Sequence, residues 1–102
     1  MSSIYTSDNF VIYTNNNGDP SSEYYAPLNG QETYTIPMTG LIPAGTTVTA
    51  AWYTLLDNIG NSMTGFSHIA VAPAPPNAIA LTVRANNSQS FRMRLRVYVQ
   101  AG

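Results

Sequence analysis

The sequence predicts a single all-β domain over residues 1–102, an antiparallel sandwich of seven or eight strands with Greek-key or jelly-roll-like connections. Three observations carry this. Arg92, Arg94 and Arg96 alternate with Phe91, Met93, Leu95 and Val97, the period of two expected of a strand with one buried face. Turn-forming clusters recur every ten to fifteen residues, at Asn15-Asn16-Asn17-Gly18-Asp19-Pro20, Asn29-Gly30, Pro43-Ala44-Gly45, Asp57-Asn58-Ile59-Gly60-Asn61, Pro73-Ala74-Pro75-Pro76-Asn77 and Asn86-Asn87-Ser88-Gln89. The runs between them are rich in Thr, Val, Ile and Tyr, and no segment carries a helical period.

In chain order the strands fall near 3–14, 22–28, 31–38, 46–55, 66–72, 78–85 and 90–100. The polar pair Asp8-Asn9 marks a break point in the first. Asn29-Gly30 reads as a two-residue hairpin turn that pairs Tyr25 with Tyr34. In the run 46–55, Trp52 shares a face with Val48 and Ala50, which makes it the expected core residue and leaves Tyr53 to the outer face or an interface. The inward sets Ile79, Leu81, Val83 and Met93, Leu95, Val97 align as a hairpin if Val83 opposes Met93. Arg84 then faces Arg92.

All four positive side chains are arginines in the last nineteen residues, whereas Asp8, Asp19, Glu23, Glu32 and Asp57 all precede them. Only 9% of residues are charged, against about 25% in an ordinary domain. Such a surface suits uncharged hydrogen-bonding partners, sugars or other subunits, and lacks the basic footprint that a nucleic-acid binder needs. Arg84, Arg92, Arg94 and Arg96 form the expected anion-binding or interface group, because like charges crowded on one face call for neutralising carboxylates from Asp8, Glu32, Asp57, a second subunit or an anionic ligand.

Tyr24, Tyr25, Tyr34 and Tyr53, with Asn17 and Asp19, are the expected ligand-binding residues, the rings covering a sugar face and the polar groups fixing its orientation. The alternating oxygen-bearing side chains of Asn15, Asn17, Asp19, Ser21 and Glu23 do not match the calcium-loop pattern and are explained as turn chemistry, so neither metal nor cofactor is expected. Cysteine is absent, which excludes disulfides and thiolate metal sites. His68 is the single histidine, no catalytic constellation surrounds it in sequence, and no enzymatic activity is expected.

The first residues have neither the basic segment nor the apolar core of a secretory signal, and no apolar run reaches the length of a membrane helix. The expected protein is soluble, made in a cytoplasm, and released or virion-associated if it acts elsewhere. Its expected role is a non-catalytic, lectin-like carbohydrate-binding or receptor-binding homo-oligomer. The alternatives are a structural subunit of a phage or virus appendage, fibre or decoration, and a small membrane-damaging toxin.

Overall fold

The computed structural model describes residues 2–14, 23–59, 65–86 and 92–102, with the backbone alone at 23 and 57–59. Among these residues seven strands follow one another: β1 (Ser3–Thr14), β2 (Glu23–Ala26), β3 (Glu32–Pro37), β4 (Val48–Ile59), β5 (Phe66–Ala74), β6 (Ala78–Ala85) and β7 (Arg92–Ala101). They form a four-stranded sheet in the order β2-β1-β7-β4 and a three-stranded sheet in the order β3-β6-β5. All pairs are antiparallel except β1–β2, which is parallel. No helix among the described residues is long and apolar enough to cross a membrane.

The core is made by the alternate residues of the two central strands. Ile79, Leu81 and Val83 of β6 and Leu95, Val97 and Val99 of β7 are wholly buried, joined by Ile12, Val48, Phe10 and Met93. The alternation read in the last strand therefore holds through its whole length, and Leu95 is a core residue as expected.

Two expected hairpins are not formed. Val83 and Met93 do not pair. β6 lies between β3 and β5, β7 lies between β1 and β4, and the two apolar faces meet across the sandwich instead of side by side. Alternation fixes which face a residue takes, not which strand lies beside it. Arg84 consequently stands opposite His68 of β5, not opposite Arg92.

Asn29-Gly30 is likewise not a hairpin turn. Residues 28–30 form a bend that carries the chain from one sheet to the other, since β2 pairs with β1 and β3 with β6. The mirror-image turn needs a positive φ at both central residues, and among the described glycines only Gly45 has one, at 83°. Tyr25 and Tyr34 nevertheless meet. The Tyr34 hydroxyl accepts from the Tyr25 N–H (3.2 Å) and donates to the Tyr25 carbonyl oxygen (3.0 Å), joining the edge of one sheet to a ring rooted in the other.

Trp52 is the third correction. It is 38% exposed, whereas Tyr53 packs against the core. A β-bulge accounts for the exchange. Val48 pairs with Ala101 but Ala50 pairs with Gln100, so two residues of β4 are spent against one of β7 and the parity of the strand reverses. Ala51, Tyr53 and Leu55 then share the inner face with Val99, Val97 and Leu95, and Trp52 and Thr54 turn outward with Tyr98 and Arg96.

Candidate functional site on the outer face of the four-stranded sheet

Outward residues of β7 run Arg92, Arg94, Arg96, Tyr98, Gln100, each about 6.6–6.8 Å from the next, and the flanking strands extend them into rows. Gln100 lies between Ile4 and Ala50, and Tyr98 between Thr6 and Trp52. Arg96 is beside Thr54, Arg94 is between Val11 and Asp57 in register, and Arg92 is next to Tyr13, which is next to Tyr25. The result is a ridged strip about 27 Å long, aromatic near Trp52 and again at Tyr13 and Tyr25, with arginines between.

Trp52 and Tyr98 stack with ring centroids 5.5 Å apart and planes 7° from parallel. That is an offset stack, which suits two quadrupolar rings, and Trp52 keeps part of its surface exposed beside it. The Tyr98 hydroxyl is 3.3 Å from the Thr54 hydroxyl, and this bond, with Arg96 beside it, holds the phenol below its ordinary pKa.

Asp8 reaches Arg96 because of a second bulge. Ser7 pairs with Val97 and Phe10 with Leu95, so three residues of β1 span two of β7, and the Asp8-Asn9 break read from sequence is this extra residue. Arg96 Nε donates to Asp8 Oδ1 at 2.8 Å and Nη2 to Oδ2 at 3.2 Å, the planar two-point geometry particular to arginine. The Arg96 hydrogen bond holds the Asp8 carboxyl below the usual carboxylate range, and the carboxylate in turn holds the guanidinium more firmly charged. Asp8 was among the carboxylates expected to meet the arginines.

A carboxyl whose pKa is lower folded than unfolded stabilises the fold above its unfolded pKa, and that contribution disappears as pH falls through the folded value. The pair is exposed and screened, so the contribution is small. Asp8→Asn is expected to lower the melting temperature slightly at neutral pH and low salt, the gap to the parent closing as pH drops below about 4. Thermal melts between pH 7 and pH 2 check this. A gap that stays constant across the range means the fork contributes no charge-dependent stability.

The expected site residues are dispersed by the fold. Arg92, Arg94 and Arg96 share the outer face of β7, but Arg84 is on the outer face of the other sheet. Tyr24 stacks on Phe10 (5.9 Å) and meets Tyr34 edge-on (5.0 Å), a ring cluster between the sheets, and burial pushes both phenols up in pKa. Tyr53 donates to the Ile69 carbonyl oxygen at 3.4 Å. Tyr25 alone of the four is on the outer face of the four-stranded sheet, tilted against Tyr13 at 5.5 Å. Asn17 and Asp19 lie outside the described residues.

The residues that reasoning from sequence passed over are Tyr98 and Trp52. Tyr98 has the same parity as the three arginines and was readable from the alternation alone. Trp52 was not, because its parity depends on the bulge.

Comparison with known proteins yields no match: no family model, no curated protein and no solved structure is significantly similar to this chain.

Proposed function

We propose that the protein is a non-catalytic, lectin-like carbohydrate-binding module that engages sugars on the outer face of its four-stranded sheet and acts as a homo-oligomer. The observation that supports this most is the exposed Trp52–Tyr98 stack lying beside Thr54 and the Asp8–Arg96 fork. An aromatic ring suits the apolar face of a pyranose, while a carboxylate, a guanidinium and two hydroxyls in fixed positions suit its hydroxyl groups. Shallow sites of this kind bind weakly, and repetition of the subunit supplies avidity. A glycan array probed with soluble protein tests the reading. Binding to a defined set of glycans is expected, and silence across the array counts against it.

A second reading, a structural subunit of a phage or virus appendage, draws on the exposed apolar side chains. Ile4 is 57% and Leu55 41% exposed, both on the same sheet, and among the described residues β3, β4 and β5 lie at the edges of their sheets. Such edges are commonly covered by another chain. On that reading native mass spectrometry finds large self-assemblies while the array stays blank.

A further inference from the structure

A different part of the molecule brings together the histidine and the arginine that the sheet face leaves unused. β5 carries a bulge of its own. Phe66 pairs with Ala85 and His68 with Arg84, so Ser67 is the extra residue. In an unbroken ladder Ser67 would oppose Arg84, and His68 would oppose core-facing Val83. The bulge moves the imidazole to the outside, next to the guanidinium, as bulges at binding sites commonly do.

The loop that crosses between the sheets completes the place. The Ala85 N–H donates to the Pro27 carbonyl oxygen (2.9 Å), which ties the start of the crossing loop to the end of β6, and the Asn86 N–H donates to that of Gly65 (2.8 Å), which joins the residues flanking β5 and β6. Asn29, Gln31, Ser67, His68, Arg84 and Asn86 line an open cavity of about 450 Å³ there, within the range of small-molecule sites. Among the described residues Arg84 has no ion-pair or hydrogen-bond partner, nor do the side chains of Asn29, Gln31 and His68. Exposed polar groups scattered over a surface are simply hydrated. These converge on one concavity, with a single planar cation at its wall.

We propose that this cavity is a second binding site, for the carboxylate of an acidic monosaccharide. One guanidinium balances one negative charge and matches a planar carboxylate through two parallel hydrogen bonds. The amides of Asn29 and Gln31 and the His68 ring offer both donors and acceptors for sugar hydroxyls. The site is separate from the Trp52 face and stands or falls independently of the function proposed for it.

The test is a titration followed by NMR, using methyl glucuronide, methyl glucoside and sodium sulfate as probes. Methyl glucuronide is expected to shift the His68 ring and the Asn29 and Gln31 side-chain amide signals saturably, with methyl glucoside and sulfate each at least tenfold weaker. Arg84→Gln, an exposed substitution that leaves the core untouched, is expected to weaken glucuronide binding at least tenfold, Asn29→Ala to weaken it less, and Trp52→Ala to leave it unchanged. Undiminished binding in Arg84→Gln, equal binding of the glucoside or of sulfate, or loss of the shifts in Trp52→Ala would each overturn the proposal.

Discussion

Leu95→Ala is expected to destabilise the protein by about 2–5 kcal/mol, a large part of the roughly 5–15 kcal/mol that holds a domain of ordinary stability together. Leu95 is wholly buried in the middle of the central strand, with Phe10 beside it on one side and Leu55 on the other. Truncation removes its transfer free energy and leaves a void whose walls are backbone ladders on both flanks, which collapse poorly onto the gap. Urea denaturation followed by circular dichroism measures the change. A loss below about 0.5 kcal/mol would mean that the inner face of β7 is not packed as described.

Trp52→Ala is expected to weaken binding while leaving the protein folded. The ring is 38% exposed, so truncation forfeits the stack on Tyr98, about 0.5–1.5 kcal/mol, on top of the part of the ring's apolar area that lies against the sheet. At the centre of a ligand site the same ring would be an anchor, and losing an anchor aromatic costs about 2 kcal/mol or more, roughly thirty-fold in affinity. Denaturation and calorimetric titration of a glycan found on the array give the two numbers separately. A variant with parent-like affinity would remove Trp52 from the site, and one that loses stability as severely as Leu95→Ala would place the ring in the core after all.

The strands themselves were legible because turn chemistry punctuates the chain, although β4 runs on through Asp57-Asn58-Ile59 beyond its expected end, and, in β6 and β7, because strict alternation runs from Ile79 to Ala85 and from Arg92 to Ala101. What the pattern could not convey was neighbourhood and parity. Apolar alternation in β6 and β7 is equally compatible with pairing side by side and with facing each other across the sandwich. The bulges at Val48–Ala50 and Phe66–His68 add one residue each to a strand without any residue type that announces it, whereas the polar pair Asp8-Asn9 marked the one at Ser7–Phe10 only as a break. Their consequences are the features that make the candidate sites: Trp52 outside, Asp8 on Arg96, and His68 beside Arg84. The parallel β1–β2 pair was hidden for a similar reason, since four residues, Glu23–Ala26, carry no mark of strand direction.

Trp52 is the single tryptophan of the chain, so its emission reports on the outer face of the four-stranded sheet and on nothing else. Titrating the native protein with an array-identified glycan while recording tryptophan fluorescence therefore tests directly whether that face is the binding surface. A saturable blue shift, with a midpoint matching the calorimetric affinity and absent for glycans that the array rejects, is the predicted result. Calorimetric binding with no change in the emission would contradict it, and would move the site away from Trp52 and Tyr98.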